Sequence, residues 1–385
     1  MCLADTHSSV TALLPSISFW LCFFCEHIIL PSRTPEFKLI DFHHAVVFML
    51  AWAADQNEII LEPKLFTDYL PFLWFHPPAG YTKYNRDDAQ SVFVAVYNAV
   101  LRCESTALRE ALVGRLEENS MLTARLIIQF IMDEFAYIPE ESDMRHPYQT
   151  LWIATVFSLE LSGLSLSIHT ALLKNNSMQW MSLILRFVTR RVRFTHTTLL
   201  MATDCASRCL PYILRVMQDG HSYIHRLLGY DVLLYMFKAF HNLHAHPNLI
   251  DQELKELQTS MENDAVEILF MVASHCYYAS ILKRSKKATF KIQRRHLDDF
   301  VDSSSEPVSR IWTWLVDIVL NRPDISKSLD SLCGSKQCPR TSVGEFMTCS
   351  GCQFTLYCSR TCQKDDWSSG DHRSLCKKIK QLRIG

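Results

Sequence analysis

The last 53 residues constrain this chain more tightly than everything before them. Seven of its 14 cysteines fall between Cys333 and Cys376, and with His372 they make four short pairs: Cys333-x4-Cys338, Cys349-x2-Cys352, Cys358-x3-Cys362 and His372-x3-Cys376. Spacers of two to four residues let both members of a pair reach one ion. An i,i+4 pair, as in the last two, also shares one face of a helix. Eight thiolate and imidazole ligands suffice for two tetrahedral Zn2+ sites with no open position, which is the pattern of structural zinc. A disulfide framework is the competing reading. It needs an oxidising compartment, leaves one clustered cysteine unpaired and gives His372 no role. Two structural zinc ions are therefore the predicted cofactor.

The other seven cysteines (Cys2, Cys22, Cys25, Cys103, Cys205, Cys209 and Cys276) are scattered through apolar runs, where cysteine behaves as a small buried hydrophobe. The run from Thr6 to Cys25 carries no formal charge, but Pro15 and several hydroxyl residues interrupt it and Glu26-His27 close it. No Lys or Arg precedes it, as a secretory signal would require. It reads as a buried N-terminal helix, and no membrane partner is predicted. Cys22-x-x-Cys25 lacks the βαβ context of a redox motif.

Glycine divides the chain. Only five of the ten glycines lie in the first 330 residues, and strand-like alternation is scarce there. Apolar periodicity with Pro, Asn and Gly punctuation predicts helices near 37–55, 86–103, 106–118, 121–136, 149–173, 178–193, 198–219, 231–245, 250–281 and 307–321. The clearest stripe is Leu254, Leu257, Met261, Ala265, Ile268 and Val272, with Glu256, Ser260, Asn263 and Glu267 opposite. The expectation for residues 1–325 is an all-α body. Helix lengths suit an armadillo- or HEAT-like stack, although no period of 40 to 47 residues recurs.

Thirty-nine Lys and Arg against 40 Asp and Glu leave a net charge of −1, which gives no general case for nucleic acid. One local run, Lys283-Arg284-Ser285-Lys286-Lys287 continuing to Lys291, Arg294 and Arg295, is followed at once by Asp298-Asp299-Phe300-Val301-Asp302 with Glu306. It reads either as a nuclear-localisation or phosphate-binding patch or as a solvated helix end or inter-helix loop whose charges neutralise each other. His241, His244 and His246 cluster near a helix end before Pro247, and the first two could share a metal, but such histidines more often cap carbonyls or face water. His43-His44 and Cys205-x3-Cys209 are discounted in the same way.

The residues between the zinc ligands carry a family resemblance. Tyr357-Cys358-Ser359-x-x-Cys362-Gln363-x-x-Asp366-Trp367, followed by His372-x3-Cys376, resembles the second half of the MYND zinc finger almost letter for letter. The likeness covers 333–376, leaving 377–385 as a short basic tail. It departs from the family in its first pair, which has four intervening residues where two are usual. The resemblance implies interleaved sites: Cys333, Cys338, Cys358 and Cys362 for one ion, and Cys349, Cys352, His372 and Cys376 for the other. It also implies a protein-interaction module taking short proline-containing peptides, with Gln363 and Trp367 near the groove. The alternative for Trp367 is a core ring packed over the second site. Residues 331–385 hold nine Lys and Arg against four acids, but seven thiolates on two divalent ions offset much of that excess, so no specific nucleic acid is expected.

These features favour a non-enzymatic scaffold in the nucleus or cytoplasm. The alternatives are a lysine-methyltransferase-like enzyme, whose SET-domain motifs are not found here, and an adaptor of a ubiquitin-ligase or transcriptional complex. No phosphate loop, H-E-x-x-H or G-x-S-x-G motif points to another catalyst.

Overall fold

The computed structural model describes residues 18–23, 46, 63–75, 86–101, 105–137, 145–190, 194–301, 304–321, 333–335, 338, 347–352, 355–369, 372–374 and 376–377. The predicted helix at 37–55, apart from residue 46, and His43-His44 lie outside these residues. The chain divides into two compact units, Met1–Tyr212 and Ile213–Gly385.

In the first unit a π-helical turn, Leu65–Tyr69, leads into α1 (Leu70–Phe75), followed by α2 (Arg86–Leu101), α3 (Thr106–Glu118), α4 (Ser120–Tyr137), α5 (Arg145–Leu164), α6 (Leu166–Lys174), α7 (Ser177–Val188) and α8 (His196–Gln218), which belongs to this unit up to Tyr212. Helices pack on neighbours one to three places away in sequence. Such packing is common to stacked helices in general and does not single out the armadillo or HEAT class. Trp74, Phe93, Tyr97 and Phe157 meet in the core, where Phe93 also stacks on Phe130 with centroids 4.0 Å apart. Three buried hydroxyls on α5 are satisfied within the helix: Thr155, Ser158 and Ser162 each donate to the carbonyl four residues back.

The second unit continues with α9 (His221–Gly229), α10 (Val232–His244), α11 (Gln252–Ser274), α12 (Ala279–Arg294) and α13 (Glu306–Val316). The α11 stripe is as expected. Leu254, Met261, Ala265, Ile268 and Val272 are buried, Leu257 is half-buried, and Glu256, Ser260, Asn263 and Glu267 face out. Asp251 caps this helix by accepting from the Leu254 N–H at 2.9 Å.

Three boundaries differ from the sequence reading. The predicted 149–173 helix breaks at Ser165, whose hydroxyl accepts from the Ile168 N–H and starts α6. A nine-residue helix, α9, begins after Gly220, which sits at φ 123°. The predicted 250–281 helix ends at Ser274, and the basic run 283–294 belongs to a separate helix, α12. Among the described residues, no helix is long and apolar enough to cross a membrane.

Candidate metal centre

The C-terminal region is built around a small antiparallel ribbon. β1 (Met347–Thr348) pairs with β2 (Leu356–Tyr357), Met347 opposite Tyr357 and Thr348 opposite Leu356. The Cys349 N–H donates to the Thr355 carbonyl at 2.9 Å, so the turn between the strands presents Cys349 and Cys352 to one point. Gly334 donates to the Leu356 carbonyl at 2.8 Å and lays the first ligand loop against β2. After β2, the Ser359 hydroxyl accepts from the Cys362 N–H and opens α14 (Arg360–Ser369). Cys358 and Cys362 therefore flank a capped helix start.

These elements gather the eight predicted ligands into two groups, and within each group the ligand atoms lie within 4.8 Å of one another. Cys333, Cys338, Cys358 and Cys362 form site one. Cys349, Cys352, His372 and Cys376 form site two, whose members are all buried. The longer first spacer does not keep Cys333 and Cys338 from site one. Tetrahedral zinc with Zn–S near 2.3 Å requires sulfurs about 3.8 Å apart. Cys338 and Cys358 are 3.4 Å apart, Cys358 and Cys362 3.5 Å, and Cys349 and Cys376 3.9 Å. His372 turns Nε2 to the thiols, 3.3 Å from Cys349 and 3.8 Å from Cys352. Its Nδ1 lies 3.2 Å from Thr355 Oγ1, and an Nδ1–H donated there fixes the tautomer that leaves Nε2 free to bind a metal.

The electrostatics of the donor set tie ionisation of the thiols to a bound cation. The neighbouring thiols of Cys338 and Cys362, with burial, push the Cys358 thiol up to about 12. Burial and the adjacent Cys349 push Cys376 up to about 11, and burial raises Cys333 as well. Thiols this crowded do not ionise together unless a positive ion sits among them, and a bound divalent ion reverses the order of stability. The donors fit two structural zinc ions, each with four protein ligands.

The buried core of this region consists of Cys349, Cys352, Cys362, Cys376 and Tyr357, with the remaining ligand cysteines packed around it. Four of those five core residues are ligands, so apolar burial alone supplies little folding free energy. A structural zinc contributes on the order of 10–16 kcal/mol apparent in comparably small fingers.

Residues 333–376 match the family model for the MYND finger. This segment is a MYND finger. A stretch of 62 residues is also 37% identical to mouse (Mus musculus) Tudor domain-containing protein 1, spanning 16% of this chain and 5% of that protein. No solved structure matches the chain significantly.

Gln363 is half-buried and Trp367 is 40% exposed, four residues apart on α14. The indole sits over His372, with centroids 5.9 Å apart, while a large part of its surface stays open. Within the finger, Tyr357 is fully buried and Leu356 half-buried.

Spacing had not revealed the layer behind the ligands. Thr355 and Asp366 support the finger without binding metal, and Gly351 lies against the sulfurs of Cys349 and Cys376. Among the described residues, the histidines of α10 join no metal group. His244 stacks on Phe300 at 5.1 Å and burial lowers its pKa, and His246 Nδ1 reaches the Asn242 carbonyl at 2.9 Å. Cys205 and Cys209 are fully buried in α8, and their mutual contact, with burial, raises the Cys205 thiol well above its usual value.

Proposed function

We propose that the chain is a non-catalytic scaffold whose MYND finger docks short, proline-containing segments of partner proteins beside the helical body. The observation that carries this reading is the pairing of two protein-saturated ligand sets with a solvent-facing Gln363–Trp367 face on α14. Saturated zinc has no position for substrate or water, so its role is to hold that face in shape. A half-open indole offers a flat apolar surface to a proline ring, and a glutamine beside it can hydrogen-bond the extended backbone. Seven ligand thiols stay reduced in the nucleus or cytoplasm, where the reading places the protein. A ubiquitin-ligase or transcriptional adaptor would be one form of this scaffold, whereas a lysine methyltransferase would need a β-rich cofactor domain.

The test is calorimetric titration of the zinc-loaded full chain with a panel of proline-rich decapeptides. Saturable binding that Trp367→Ala and Gln363→Ala each weaken at least tenfold, with zinc content unchanged, is the expected result. Binding indifferent to both substitutions would overturn the placement of the groove, and no binding across the panel would overturn the reading itself.

A further inference from the structure

The basic run of the second unit is divided between two roles. The 16 residues of α12 include six Lys and Arg and no Asp or Glu. Its apolar side, Ile281, Leu282, Ala288 and Ile292, is buried, and the helix packs on α9 and α10. Two of the cations are consumed inside the unit. Arg284 donates to the His225 carbonyl at 2.9 Å, and Lys291 reaches both oxygens of Asp231 at 2.7 and 2.8 Å. The outer face carries Lys283, Lys286, Lys287, Phe290 and Arg294, all exposed, with Phe290 60% exposed. Their offsets of 3, 4, 7 and 11 residues from Lys283 put them on one stripe about 17 Å long.

A solvated helix face normally mixes signs, because like charges one turn apart repel and Glu–Lys pairs attract. Here the four outer cations have no acidic partner among the described residues, and a large ring stands in the middle of them. Helical, packed backbone also argues against an extended localisation signal. Six cations and no acid on one helix suit a continuous polyanion better than a peptide of mixed charge, and one ring is too small an apolar face to lie in a bilayer interface. Cations that can follow a phosphodiester chain, with an aromatic ring on which a base can stack, make up the sequence-tolerant mode of single-strand recognition.

We infer that the Lys283–Lys286–Lys287–Phe290–Arg294 face of α12 binds single-stranded nucleic acid without sequence preference, through its phosphates and one stacked base. This is independent of the finger's peptide groove.

The experiment is fluorescence anisotropy of a labelled 20-nucleotide oligouridylate with the zinc-loaded full chain. Three or four phosphate contacts predict an affinity loss of about 20- to 50-fold between 50 and 200 mM salt. The exposed double variant Lys286→Glu/Lys287→Glu should weaken binding at least tenfold and flatten the salt dependence. Phe290→Ala should weaken it about five- to hundredfold while leaving that dependence nearly unchanged. Circular dichroism and zinc content are controls for folding. No binding at 50 mM salt, or binding untouched by the lysine reversal, overturns the proposal. So does full affinity in Phe290→Ala, equal competition by polyglutamate, or capture of phosphatidylserine vesicles in place of the oligonucleotide.

Discussion

Tyr357 donates its phenolic hydrogen to Asp366 Oδ2 at 2.7 Å, tying β2 to α14 from inside the finger. The tyrosine is fully buried, the carboxylate is 8% exposed, and the phenol ring stands edge-on to His372 at 5.6 Å. One side chain thus supports both the helix that carries Trp367 and a ligand of site two. Tyr357→Phe keeps the ring and removes the donor, leaving a buried carboxylate oxygen unsatisfied. That costs about 1–3 kcal/mol. Because metal binding and folding are one equilibrium in so small a module, zinc affinity should fall by roughly tenfold or more. Competition with a chromophoric chelator measures it. Asp366→Ala in the Tyr357→Phe background should cost less than it does alone, since the two groups share one bond.

Elemental analysis of the reduced chain should give two zinc ions, and chelation should unfold the finger while helical circular dichroism persists. Gly351 offers a way to empty one site alone. A Cβ there would lie 2.8 Å from the Cys376 sulfur and 3.7 Å from that of Cys349. A metal-bound sulfur cannot swing aside as a long side chain would. Gly351→Ala should therefore reduce the content toward one ion per chain, with site one retained. A variant that holds two ions with unchanged affinity would show that the site-two loop accommodates the methyl group.

The ligands were legible because metal spacing is local: two to four residues decide whether a pair can share an ion, whatever the rest of the fold does. The supporting layer was not. Asp366 looks like any surface acid of a helix, and Thr355 reaches His372 only through a ribbon that pairs residues eight and ten apart. In the body, the α11 stripe was readable because large apolar residues mark it. α12 was read as a helix end or loop because Ser285, Ala288 and Thr289 fill its buried side between Leu282 and Ile292. Small and hydroxyl residues carry the helical period there with almost no hydrophobic signal. Ser165 was hidden for another reason: it is one of three serines, with Ser162 and Ser167, interleaved with leucines, and nothing local marks it as the one that caps.

The inner cations of α12 should behave as structural residues. Asp231 holds φ 59°, a left-handed conformation that Asn tolerates well, so Asp231→Asn removes the charge without adding backbone strain. Lys291 and Asp231 are each about a third exposed (31% and 32%), so the loss should be about 1 kcal/mol, reduced further by salt. Gly229→Ala places a Cβ in the space of the Arg284 guanidinium, the end of a long side chain that can swing aside, so its cost should be limited to the hydrogen bond to the His225 carbonyl, about 1 kcal/mol. Thermal unfolding of both variants at 50 and 500 mM salt separates these effects, since only the ion pair is screened.

Asp264 supplies a test of pH dependence away from the zinc sites. It lies on α11 with Oδ2 buried and lacking a hydrogen-bond partner, and burial, reinforced by Glu267, raises its pKa from 3.8 to about 6. The folded state therefore holds this proton more tightly than the unfolded chain does. The carboxyl's contribution to stability is fully present below about pH 3.8, declines as pH rises, and is gone above about pH 6. Asp264→Asn abolishes the titration. The variant should match the wild type near pH 4 and exceed it at pH 7.5 by about 1–2 kcal/mol, a figure discounted for the group's partial exposure. Urea unfolding at pH 4, 5.5 and 7.5, followed by helical circular dichroism, measures the difference. An advantage that is constant across the three pH values would mean that the asparagine stabilises the helix by some route other than relieving a buried charge.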